Sequence, residues 1–144
     1  MYSPHTATLY RLTEANDGTT TVDITVLHYC FLQRSESASA TTRGLSGADA
    51  ATLFIPSECT CTDGISGTIK TFATLKDYNA APDKTGLFTV AEDGLSYYVL
   101  GEHIEAGATF KTLNAKYGDC YKVTGVRNCD YGSESMRHLE VSGA

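Results

Sequence analysis

The chain has 144 residues, enough for one domain with an ordinary buried core. Its net charge of −6 argues against a clamp that grips nucleic-acid phosphates, and no window holds the roughly 18 apolar residues of a membrane span. Twenty threonines, nine tyrosines and only three prolines favour strands and turns, because β-branched and aromatic side chains fit a pleated surface.

The opening Met1-Tyr2-Ser3-Pro4-His5 lacks a basic region followed by an apolar core, so synthesis in the cytosol is expected. Thr6 to Leu12 alternates as a strand does, and Asn16-Asp17-Gly18 is a strong turn signal after it. Thr20 to Leu32 is the longest strand candidate and should close an antiparallel hairpin with the first. One face would carry Val22, Ile24, Val26, His28, Cys30 and Leu32; the other would carry Asp23, Thr25, Leu27, Tyr29 and Phe31.

Residues 33–50 then read as a long loop of small polar residues without structure of its own. Its charges are Arg34, Glu36, Arg43 and Asp49, and it offers no nucleophile paired with a base. Such a segment suits an arm or plug that touches another macromolecule better than a catalytic lid. The residues expected to face a channel or partner are Arg34, Ser37, Ser39, Thr41, Arg43 and Gly44.

Ala51 to Ile55 is a short strand stopped by Pro56, which cannot donate to a ladder. Ser57 to Gly67 is turn-rich and uninformative, and Lys70 to Ala80 fits a short helix or an irregular crossing. Leu87–Val90 and Tyr97–Leu100 are strands after glycine turns. Thr109 to Tyr117 is the best helix candidate: Phe110, Leu113 and Tyr117 share a face, Thr109 can cap it, and Gly118 sits at its end. Tyr121–Val126 and Arg137–Val141 form a last hairpin. The sum is a mainly β domain over residues 1–144, a barrel or sandwich of about seven strands with one or two short helices.

Catalytic signals are weak. No serine lies in a nucleophile elbow and no glycine-rich loop opens a helix. His28 reads as a core histidine, His5 as part of a free terminus, and Glu102-His103-Ile104-Glu105 as a solvated turn. His138 alternates with Leu139 on the last strand, and no histidine has a metal-ligand spacing to a partner. Cys30, Cys59, Cys61, Cys120 and Cys129 are expected as free thiols, the set Cys59, Cys61, Cys120 and Cys129 matching no common zinc pattern. No catalytic, cofactor or metal residue is expected.

Three segments taken together carry a resemblance. The first is Gly44-Leu45-Ser46-Gly47-Ala48-Asp49 running into an apolar strand that ends at Pro56. The second is Asp83-Lys84-Thr85-Gly86-Leu87-Phe88-Thr89-Val90 with Tyr98-Val99-Leu100-Gly101-Glu102. The third is Val123 to Arg127 followed by His138-Leu139-Glu140-Val141-Ser142-Gly143, with Leu139 at a position usually held by tryptophan. In this order they resemble a family of small virion proteins of tailed phages and prophages, encoded between capsid and tail.

The resemblance implies a stopper-type head–tail connector: a homo-oligomeric ring, hexamer or dodecamer, assembled in the virion after synthesis in the host cytoplasm. Its partners would be the portal or adaptor and tail proteins, with double-stranded DNA passing through without specific binding and no membrane contact. The loop would face the DNA channel. Tail-completion, tail-tube and minor capsid roles are neighbouring alternatives. A stand-alone protein-binding module using an edge strand belongs to a different class. An enzyme ranks last.

Overall fold

Alternation around Ala7 and Leu9 forms strand β1, His5–Glu14, which pairs antiparallel with β2, Thr20–Glu36, from Glu14↔Thr20 to His5↔Cys30. The computed structural model describes residues 4–14, 18–36, 40–41, 44–45, 49–105, 108–118, 120–129, 132 and 136–144. The chain continues through β3, Ala40–Thr41, β4, Gly44–Leu45, β5, Asp49–Pro56, β6, Thr60–Asp63, and β7, Ile69–Phe72. Helix α1, Leu75–Ala80, follows, then β8, Leu87–Phe88, β9, Ser96–Leu100, helix α2, Phe110–Tyr117, β10, Cys120–Cys129, and β11, His138–Gly143.

The fold is mainly β with two short helices. The expected count of about seven strands is too low. Among the described residues there are eleven, nine of them in one sheet ordered β1-β9-β10-β11-β5-β2-β6-β7-β8. The excess comes from turn-rich stretches that pair locally: β3 with β4, and β6 with β7.

Because β1 also pairs with β2, strands β1, β9, β10, β11, β5 and β2 follow one another in a closed antiparallel cycle. Each of the six sends side chains to one core: Leu9, Tyr98, Val123, Val141, Leu53 and Leu27, with Phe88 and Cys61 from β8 and β6. A second cluster lies where α2 meets the sheet, with Leu113 against Tyr10, Ile24, Tyr97 and Val99. The helix has the expected limits: Thr109 caps its start and forms a capping box with Thr112, and Gly118 ends it at φ +80°.

The uninterrupted alternation expected for β2 does not hold. Tyr29 is an extra residue at φ +68°, 67% exposed, where the register with β1 shifts between His5 and Thr6. Before this bulge Leu27 faces the main core, and after it Cys30 and Leu32 do. The bulge bends the strand, so that β2 leaves β1 and pairs with β5 from Phe31 to Glu36. Alternation alone cannot reveal one inserted residue.

His5, expected at a free terminus, starts β1; its Nδ1 accepts the Leu32 amide at 2.9 Å and its ring stacks on Phe31. His28, expected in the core, is half-buried, with Nε2 3.4 Å from Thr62 Oγ1.

Candidate functional site

Where the structure describes it, the segment expected as a structureless loop is paired β-strand. β2 and β5 pair from Phe31↔Phe54 to Glu36↔Asp49, whereas β11 stops against β5 at Gly143↔Ala51 and β1 stops against β2 at His5↔Cys30. Past Arg34 and Ala51, no third strand joins these two among the described residues. Further out, Ala40↔Leu45 and Thr41↔Gly44 pair as β3 and β4. Low hydrophobicity argues against a core, but it does not stop two extended backbones from satisfying each other's amides and carbonyls.

Of the residues expected to face a channel or partner, Arg34, Thr41 and Gly44 lie on strands of this arm. Ser37, Ser39 and Arg43 lie outside the described residues.

A charged cluster that the sequence did not suggest locks three strands together. Lys70 Nζ on β7 lies 2.8 Å from Asp23 Oδ1 on β2 and 3.0 Å from Asp63 Oδ1 on β6. It also donates to Thr25 Oγ1 at 3.2 Å and Ile24 O at 3.3 Å, with its side chain only 5% exposed. Thr13, Tyr78 and Lys84 line the same recess. Two carboxylates hold one ammonium, and Ser66 Oγ donates to Asp63 Oδ2 at 3.1 Å within the turn that follows β6.

Partial burial works against ionising Asp63. The Ser66 amide, the Lys70 ammonium and the Ile65 amide outweigh it and hold the carboxyl down at about 2. A similar pair joins β1 to the turn before β9, where Arg11 donates to Asp93 at 2.8 and 3.2 Å and to Ser96 Oγ at 3.0 Å. That guanidinium lowers Asp93 below the usual carboxylate range.

Both folded-state values are depressed, so the stability these groups contribute is complete above the unfolded value near 4. It is lost as pH falls below that value, for Asp63 toward about 2. We expect acid unfolding in that window, with Asp63 alone supplying on the order of 2 kcal/mol. Urea midpoints measured from pH 6 to pH 2 check this; Asp63→Asn should flatten the dependence.

The segment expected as a solvated turn, Glu102 to Glu105, instead leans on α2. His103 stacks on Tyr117 at 3.8 Å between ring centroids, and Glu105 accepts from Lys116 and, at 3.0 Å, from Tyr117. Glu102 and Ile104 remain exposed. The carboxylates do not converge on the imidazole as an acid–base pair would.

All five cysteines are free thiols. Burial pushes Cys30 and Cys120 up to about 12, so both stay protonated and unreactive at neutral pH. Cys120 and Cys129 end a ten-residue strand, on the order of 30 Å apart along it, and cannot share an ion with Cys59 and Cys61. Cys129 has other company.

The β10–β11 register sets Cys129 opposite His138, and Glu140 follows on the same face. One ligand atom from each of the three lies within 4.8 Å of the others. His138 Nδ1 is 2.8 Å from Met136 O and Nε2 is 3.1 Å from Glu140 Oε1; the carbonyl first, then the carboxylate, raises the imidazole above its ordinary value. The linear spacing shows no histidine with a metal-ligand partner, yet the register brings His138 together with Cys129 and Glu140. The signal was the pairing of two strands across eight intervening residues, which no linear motif displays.

Searches with the sequence found no match among proteins with curated descriptions and none among solved structures. A family model described as "Family of unknown function (DUF6751)" matches residues 2–144, and the chain belongs to that family.

Proposed function

We propose that this member of a family of unknown function is a non-catalytic, ring-forming structural subunit of a tailed-phage neck. It would link portal or adaptor to tail around the DNA path. The observation that carries the reading is the two-stranded arm, which leaves a closed antiparallel cycle and presents Arg34, Thr41 and Gly44 on its strands. An arm on a rigid β body suits a subunit that reaches to a neighbour or toward a shared axis.

Head-to-tail contacts between identical subunits form a ring when the rotation between neighbours closes. The arm's charges sum to zero and the chain carries −6, so passing duplex DNA would meet no phosphate clamp. The sequence resemblance supplies the phage context, and the Lys70 and Arg11 ion pairs supply the rigid body.

Quantitative mass spectrometry of purified particles from the phage or induced prophage encoding the chain tests this. A copy number equal to that of a hexameric or dodecameric ring, relative to portal, is expected. Absence from particles would overturn the reading, and a capsid-like or tube-like abundance would transfer the protein to a shell or tail tube.

A further inference from the structure

We propose that Cys129, His138 and Glu140 form a binding site for one zinc-like divalent transition-metal ion, clamping the β10–β11 hairpin at the end where its connecting loop begins. The proposal rests on the hairpin's own register and is independent of the neck reading.

Three kinds of observation converge. The donor set is thiol, imidazole and carboxylate, the set that zinc takes in four-coordinate sites, and its atoms already lie within 4.8 Å of one another. Bonds of about 2.0–2.3 Å at tetrahedral angles place ligand atoms roughly 3–4 Å apart, so only side-chain rotations are required.

The second observation is outside the donor set. The Met136 carbonyl, 2.8 Å from Nδ1, can accept a hydrogen bond from an Nδ1–H and leave Nε2 unprotonated to face the ion. A backbone acceptor behind a histidine is the usual device for orienting a metal-bound imidazole.

The third is charge and exposure. Cys129 is 1% exposed, whereas the His138 and Glu140 side chains are 16% and 29% exposed, so the ion would sit at the boundary with one position open to solvent. One thiolate and one carboxylate neutralise a doubly charged ion, and the thiol proton of Cys129 leaves to solvent on binding. Arg127 stands opposite Glu140 in the register, at an exposed position. Magnesium and calcium are poor candidates, because thiolate and imidazole are softer than the oxygen ligands they take.

Cobalt(II) is the probe. Titrating it into the reduced full-length protein should produce a thiolate-to-cobalt charge-transfer band with the visible bands of a tetrahedral ion, saturating at one ion per chain. Zinc chloride should bleach both. Cys129→Ser should abolish the charge-transfer band, and His138→Gln or Glu140→Gln should weaken binding by at least about tenfold. Cys59→Ser with Cys61→Ser should leave the spectrum unchanged. Should the buried Cys129→Ser variant not fold, the His138→Gln variant, at a partly exposed position and with folding checked by circular dichroism, decides alone. No thiolate band, or a band that survives His138→Gln and vanishes without Cys59 and Cys61, overturns the site.

Discussion

Lys70→Ala is expected to lower the free energy of unfolding by roughly 3–5 kcal/mol, the usual cost of removing one partner from a buried ionic cluster. Lys70 is the shared cation of Asp23 and Asp63, which lie 2.8 and 3.0 Å from its Nζ. Without it two carboxylates face each other in a half-buried recess, and Thr25 Oγ1 and Ile24 O lose a donor. The alanine also leaves the space of a four-carbon stem.

The loss should concentrate in the flap built by β6 and β7, because Lys70 adds a side-chain tie from β7 to β6 and β2 beside the backbone ladders. Urea denaturation at pH 7 measures the loss, and hydrogen exchange should show the earliest opening at Thr60 to Phe72. A loss below about 1 kcal/mol would mean that the cluster's desolvation cost cancels its attraction, as some buried pairs do.

The second large effect is functional. Removing residues 37–48 and joining Glu36 to Asp49 through an Asn-Gly turn keeps the β2–β5 register and leaves the core clusters intact. The isolated variant should match the parent in stability within about 0.5 kcal/mol, as changes away from the core do. Particles carrying it should nevertheless be defective.

Fully extended, the eight residues from Arg34 to Thr41 would span about 25 Å, enough to reach a ring axis or an adjacent subunit. Particles that fill with DNA and leak before tail attachment would assign the arm to the channel. Particles arrested with rings unbound would assign it to docking. Normal particles with normal infectivity would remove the arm from the account.

Much of the body was legible from residue pattern. The β1–β2 hairpin followed from alternation on both sides of Asn16-Asp17-Gly18, and α2 followed from its apolar spacing with Thr109 and Gly118 at its ends. What stayed hidden depends on contacts distant in sequence or on one inserted residue. Tyr29 changes which face of β2 is inside, yet a single bulged residue leaves no trace in composition. Lys70 lies 47 residues from Asp23, and only the pairing of β6 with both β2 and β7 unites them.

The arm was located by composition but given the wrong conformation, since small polar residues specify what will not be buried and say little about backbone pairing. Cys129, His138 and Glu140 were each visible as residues. Their convergence needed the β10–β11 register.

The measurement that tests the central claim most directly is cryo-electron microscopy of the neck in particles from the encoding phage. A closed ring of this chain between portal and tail, with the arm of Arg34 to Ala51 directed to the axis or clasping an adjacent subunit, is the predicted result. Isolated copies on the capsid exterior, or a neck density that this fold does not fit, would contradict it.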